Sequence, residues 1–289
     1  MNYKGFYINL TSEEIRREYL IKHLKENKLY NNYERFEALV PEDHTKLYGL
    51  KTKGEYGLWL SIIRLLENIS KEHYQGFIHI IEDDFRFNNT LINKFNNLFT
   101  FQKEADEDII FIDYLIDLPL LNLISLIIKQ DGDLSKEINN KFSASYFYKG
   151  STSSFLIRQS SAGFLSNLLK KTLNNLRIEN RLEPIDMVLR SLFQKGILKG
   201  SICIPPLGCP DWDMDAFTSI QTCRLNSIKK SMRTHLLFRC AASGVKDLNY
   251  CAKEISKLFK SNLNIKDLNN LEDFYKFVEN HRKYLNTNW

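Results

Sequence analysis

Three consecutive acids, Glu82, Asp83 and Asp84, stand in the apolar run IHIIEDDFRF (78–87), which Phe85 and Phe87 then resume. Like charges side by side repel, so something positive should offset them: an Arg or Lys, a helix end, or a metal ion. Carboxylate oxygens suit hard divalent cations such as Mn²⁺ or Mg²⁺. One residue separates Glu82 from Asp84, so an extended strand through them would turn both to one side. A surface acid cluster capping a helix would use the same letters. Arg16 and Arg17 stand about one helical turn after the end of the first predicted strand, FYIN. Either suits a phosphate or the acids themselves, since guanidinium pairs well with both, and either suits an ordinary surface ion pair. No GxSxG elbow, HExxH pair or P-loop occurs, so hydrolase, zinc-protease and NTPase readings have no anchor.

The elements that must position these groups alternate. KGFYINL reads as a strand ending at Asn9, and the segment from Thr11 to Asn27 as a helix capped by Thr11 or Ser12, with Ile15, Tyr19, Ile21 and Leu24 on its apolar face. YERFEAL reads as a short strand, then a loop over 41–54, then a helix from Gly54 with Leu58, Ile62, Leu65, Leu66 and Ile69 along one face. GFIHIIEDD and DIIFIDYL are apolar enough for parallel strands covered on both faces. SFLIR is a further strand followed by a helix, EPIDMVLRSLFQKG is a helix, SICIPPLGCPDWDMD reads as loop, and the chain beyond about 224 reads as helical. Strand and helix in turn predict an α/β sheet, whose ligands bind beyond the carboxyl ends of the strands, where the three acids stand.

A hydrophobic share of 43% is ample for a core, and 26% charged residues fits a soluble globular chain. Five cysteines, all in the second half and without CxxC spacing, suggest neither a zinc site nor a disulfide framework, and fit a reducing cytosol. No signal peptide is visible at the start. LPLLNLISLII (118–128) is shorter than the roughly 20 residues of a spanning helix, and reads as a buried helix or lid. Net charge is +5, unevenly spread: 224–260 carries nine Lys/Arg against two acids, and the rest sums to −2. That segment is either a solvated helix face or a surface for an anionic partner such as a membrane. Nucleic acid is not expected, because interleaved aromatics and a recognisable module are missing.

The ordered blocks FYINLTSEEIRRE, ERFEAL, KGEYGLWLS, IHIIEDDFRF, GSTSSFLIRQSSAGFL and EPIDMVL, over roughly residues 5 to 190, resemble glycosyltransferase family 25, the bacterial lipooligosaccharide glycosyltransferases related to the collagen galactosyltransferases. The resemblance implies a GT-A-type, Rossmann-like mixed sheet flanked by helices over 1–222, followed by a basic helical C-terminal extension over 223–289. It implies transfer of a hexose such as galactose from a UDP-sugar to a glycolipid or oligosaccharide acceptor, with inversion and with Mn²⁺ or Mg²⁺. On that reading Asp84 and Glu82 hold the metal. Asn9, Arg16, Arg17, Glu55 and Glu82 to Asp84 form the donor site, Asp186 is the base, and Ser151, Thr152, Asp211 and Trp212 meet the acceptor. Glu183, Asp213 and Asp215 compete with Asp186 for the base. One position departs: the family's Ser-His in the helix after GEYG is Ser61-Ile62 here. Expected surroundings are the cytoplasm, peripheral on the inner face of the membrane. The alternative is a non-catalytic nucleotide- or glycan-binding protein on the same fold.

Overall fold

The computed structural model describes residues 3–42, 46–50, 52–93, 95–96, 106–131, 141–211, 226–259 and 268–280. Seven strands form one mixed sheet in the order β2-β1-β3-β7-β5-β8-β6. They are β1 (Lys4–Asn9), β2 (Tyr33–Glu37), β3 (Phe77–Glu82), β5 (Ile109–Phe111), β6 (Lys141–Ser143), β7 (Ser154–Arg158) and β8 (Gly200–Cys203). β1 runs parallel to β2 and β3, and β5 parallel to β8; β7 is antiparallel to β3 and β5, and β6 to β8. A separate ribbon pairs β4 (Phe85–Phe87) with β9 (Gly208–Pro210).

Strand alternation divides the core in two. Ile78 and Ile80 of β3 belong to the larger cluster, shared with α2 (Lys53–Ser70) and α5 (Gln159–Ile178). Phe77 and Ile81 point to the other face, against Leu20 and Leu24 of α1 (Glu14–Glu26) and against Phe85, Phe87 and Phe95. Both faces of β3 are therefore covered, which is why its sequence is a continuous apolar run. Fully burying such a side chain contributes roughly 1.5–3 kcal/mol.

α1 departs from the face expected of it. Ile15 and Tyr19 are 70% and 55% exposed, while Arg16, Leu20 and Leu24 are the buried set. The helix turns its one buried charge inward, towards Asp83 and Asp84 just after β3. Its cap also differs: Glu13 is the N-cap without a side-chain bond, and Thr11 instead donates to Glu37 Oε1 at 2.5 Å. SICIPPLGCP is not loop throughout, since β8 and β9 lie within it. Short strands punctuated by Pro205, Pro206 and Gly208 show no run long enough to see; their neighbours in the sheet define them.

α3 (Leu118–Asp131) buries Leu118, Leu120, Leu121 and Ile124 and packs against α9 (Leu271–Asn280). No described helix is long and apolar enough to cross a membrane. The short α4 (Ala144–Phe147) leads towards β7, and α6 (Ile185–Gln194) precedes β8. The late helices α7 (Asn226–Ser243), α8 (Leu248–Phe259) and α9 place Phe238, Ile255 and Phe274 in the same cluster as α2 and β3.

Candidate functional site

β3 ends at Glu82, and Asp83 and Asp84 form the tight turn into β4. The alternation expected to carry Glu82 and Asp84 to one side therefore stops at Glu82; backbone turning, not strand pleat, sets where Asp84 points. Each acid has its own keeper. Thr152 Oγ1 donates to Glu82 Oε1 at 3.2 Å. Asn9, at the end of β1, donates through Nδ2 to Asp83 Oδ2 at 2.7 Å. Arg16 reaches both remaining partners, 2.5 Å to Asp83 Oδ1 and 3.0 Å to Asp84 Oδ2. Among the described residues, Asp84 Oδ1 is buried with no hydrogen-bond partner, as are Arg16 Nε and Arg86 Nη2.

One arginine does not neutralise three acids. Burial, then Asp84 and Asp83, push the Glu82 carboxyl up to about 8. Burial pushes Asp83 up to about 6 against the pull of Arg16. A buried carboxylate oxygen without a donor beside two proton-hungry acids is a place where a cation would be stabilised. The backbone frames the same spot: Asp211 N–H donates to Asp84 O at 2.8 Å, and the Asp211 carboxylate sits 3.5 Å from Arg86 Nε and 3.8 Å from Lys246 Nζ.

Beyond the ends of β1 and β3 opens a pocket of about 210 Å³. Its walls are Asn9, Glu13 and Arg16, then Leu39 to Pro41, then Lys53, Gly54 and Ser61 of α2, together with Glu82 and Asp83. This is the crevice expected at strand ends. Gly57 of the GEYG block shapes it by packing: a Cβ there would lie 2.7 Å from Leu39 O. Ser61 fastens the same contact, its Oγ donating to Gly57 O at 2.7 Å and accepting Leu39 N–H at 2.8 Å. Ile62 is buried in the core. Glu55 is the acid of a capping box with Thr52 at the start of α2.

The loop before β7 ties the rest together. Gly150 has φ +146° and Ser151 φ +86°, so this turn is held in left-handed conformations. Ser151 N–H donates to Asp186 Oδ2 at 3.0 Å, and Met187 N–H donates to Asp186 Oδ1 at 2.9 Å. A Cβ on Gly150 would meet Asp186 Oδ2 at 2.8 Å. Ser151 and Ser153 hydroxyls both donate to Asp113 Oδ2. Arg239 of α7 completes the cluster, donating from Nε to Asp113 Oδ1 at 2.8 Å and from Nη2 to Asp113 Oδ2 and to Ser151 Oγ. Asp113 is fully buried, and Arg239 is buried with it.

The fold thus gathers Asn9, Arg16, Glu82, Asp83 and Asp84 at one spot, joins Thr152 to them directly, and links Ser151 with Asp186 next door. Asp211 reaches the cluster through its backbone. Arg17 stays outside it, paired with Glu14 at 2.9 Å on the surface. Trp212, Asp213 and Asp215 lie outside the described residues. Glu183 contributes its backbone carbonyl, which accepts the Trp59 indole N–H at 2.8 Å. His79 is a core histidine between Tyr33 OH at 2.5 Å and Ser154 Oγ at 2.8 Å.

Sequence reasoning missed Asp113, Arg239, Arg86 and Arg35. Arg35 Nε donates to Asn9 Oδ1 at 3.2 Å, so both ends of the Asn9 amide are engaged. Asp113 carried a visible signal, an acid closing the apolar run IIFID just as Glu82 closes its own. Arg239 carried a weaker one, a lone charge inside LLFRCAA.

No family model and no curated protein matches the chain. Among solved structures it is similar to the apo form of mouse xyloside xylosyltransferase 1, at 12% identity and a TM-score of 0.31, over 76% of this chain and 81% of that one. A likeness that loose carries no argument.

Proposed function

We propose that the chain is a metal-dependent glycosyltransferase of GT-A type, moving a hexose such as galactose from a UDP-sugar to a hydroxyl of a bacterial lipooligosaccharide or similar surface glycan, with inversion. The observation that carries this reading is the acid turn, whose Glu82 and Asp83 line the strand-end pocket while the neighbouring Asp84 Oδ1 is buried and unpartnered. The family 25 resemblance of the sequence blocks supplies the substrate class.

Asp84, with Glu82 beside it, would hold Mn²⁺ or Mg²⁺; these are hard oxygen donors, as such ions prefer. Among the described residues no group of three or more His, Cys, Asp or Glu side chains is placed to hold a metal ion by itself. The remaining ligands would be diphosphate oxygens and water, the usual pattern for a cation that binds with its substrate. The ion would supply Lewis-acid stabilisation of the departing diphosphate.

The chain's own residues do the rest. Arg16 and Asn9 hold Asp83 and fix the turn. Burial and the neighbouring Asp84 and Asp83 raise the Glu82 pKa to about 8, which favours the protonated carboxyl; a cation held there would lower it and favour the carboxylate. Asp186 is the base for the acceptor hydroxyl, oriented by the two backbone N–H groups it accepts. Ser151 and Thr152 line the acceptor side. Residues 224–260 would meet an anionic membrane at the cytoplasmic face through exposed groups such as Lys253, whereas Arg239 is internal. Salt-independent sedimentation with phosphatidylserine vesicles would remove that part.

The test is thermal stability with UDP and UDP-sugars, with Mn²⁺ or chelator, for the native protein and Asp84→Asn. Stabilisation by a UDP-sugar that needs Mn²⁺ and vanishes in the variant is the expected result. No shift with any nucleotide overturns the reading. A second reading, a non-catalytic binder, is favoured by Ile62 standing buried where the resembled family has histidine. UDP binding without sugar release or transfer from any donor would select it.

A further inference from the structure

Cysteine spacing gave no hint of a bonded pair, yet the fold brings two cysteines together from separate elements. Cys209 of β9 and Cys240 of α7 lie with their sulfurs 3.1 Å apart, 31 residues apart in sequence. Both are fully buried and carry free thiols, as do Cys203 and Cys251. We infer that Cys209 and Cys240 are a disulfide-forming pair that fastens β9 to α7 when the chain folds in an oxidising thiol buffer.

The geometry asks for little. A disulfide bond is about 2.05 Å long, so the sulfurs need to approach by about 1 Å. The elements are already packed: α7 lies on β9, and β9 is pinned to β4, where a Cβ on Gly208 would sit 2.2 Å from Arg86 O. The bond would also join the strand that leads into the acid turn's backbone partner to the helix that holds Asp113. β9 leads into Asp211, whose N–H holds Asp84 O, and Arg239 next to Cys240 holds Asp113. None of this depends on the glycosyltransferase reading.

Burial governs the route. Buried thiols held far above their usual acidity range form little thiolate and react slowly, and Cys209 is such a thiol. Oxidation therefore belongs to folding, before the pair is sealed. One thiolate attacks a small-molecule disulfide such as glutathione disulfide, giving a mixed disulfide and releasing one glutathione thiolate. The second cysteine's thiolate then attacks the protein sulfur of that mixed disulfide, forming the Cys209–Cys240 bond and releasing the second glutathione. Two protein thiols are oxidised, their two protons pass to the departing glutathione thiolates, and one glutathione disulfide is reduced to two thiols. Cys251 also lies close enough to Cys209 to affect it electrostatically, and is the competing partner.

The test refolds the full chain from urea in glutathione buffers ranging from reduced to oxidised, blocks free thiols with N-ethylmaleimide, and maps the links by non-reducing digestion and mass spectrometry. The expected product in oxidised buffer is one link, Cys209 to Cys240, with the other three cysteines alkylated. It should unfold roughly 5–10 °C above the reduced form. Cys251→Ser should keep both the link and the shift, and Cys240→Ser should lose both. Alkylation of all five cysteines in oxidised buffer overturns the inference, as does a Cys209–Cys251 link or a Cys209–Cys240 link without a stability shift. Should Cys240→Ser fail to fold, the map of the native chain decides alone.

Discussion

Replacing Arg16 with methionine tests how the acid turn is held. The guanidinium stands 2.5 Å from Asp83 Oδ1 and 3.0 Å from Asp84 Oδ2, and the three side chains are only 9–11% exposed. At an effective dielectric of about 20 these separations correspond to gross attractions of roughly 7 and 6 kcal/mol. Desolvation cancels most of that, and removing one partner of a buried pair costs about 3–5 kcal/mol. The cost should depend on pH. Without Arg16 the acids escape repulsion only by taking protons, so the folded variant binds more protons than its unfolded chain, and its stability falls as pH rises. We expect Arg16→Met to lose about 4 kcal/mol at pH 8 and well under half of that at pH 5. Urea unfolding at both values, analysed by linear extrapolation, measures it. A loss below about 1 kcal/mol at both pH values would refute the reasoning, because the acids would then be neutralised by something other than Arg16.

Two further outcomes follow from particular contacts. His23 Nε2 accepts the Phe87 N–H at 2.9 Å, and burial, aided by Arg86, holds its pKa down to about 4. The folded state needs neutral His23, so its contribution is complete above about pH 6.5 and is lost as pH falls through about 4, on the order of 3 kcal/mol in full. His23→Leu should flatten the stability profile between those limits, and an unchanged acid limb counts against the assignment. Gly57→Ala should destabilise by about 1–2 kcal/mol despite alanine's better helix propensity, because the added Cβ would crowd Leu39 O. An equal or higher urea midpoint would show that β2's exit loop yields freely.

The sequence determined a good deal by itself. Apolar runs ending in acids were readable as buried strands because a strand covered on both faces has no polar alternation to hide. β1, β2, β3 and β7 and the helices between them follow from period and punctuation, and with them the position of Glu82 to Asp84 at a strand-end crevice. Glu55, which the resemblance places in the donor site, is engaged in the structure as the acid of a capping box with Thr52.

Tertiary structure decided the rest. Which face of α1 is buried did not follow from the expected apolar set: Leu20 and Leu24 lie on the same side as Arg16 and its ion pair with Asp83 and Asp84, which leaves Ile15 and Tyr19 exposed. Asp84's direction was set by a turn, which period-two reasoning cannot see. Arg239 looked like one charge in a basic tail. It became the partner of Asp113 only because α7 folds back onto the sheet, at a separation of 126 residues. Cys209 and Cys240 met for the same reason. Contacts between residues so far apart leave no local pattern, since the chain between them records nothing of where its ends will meet.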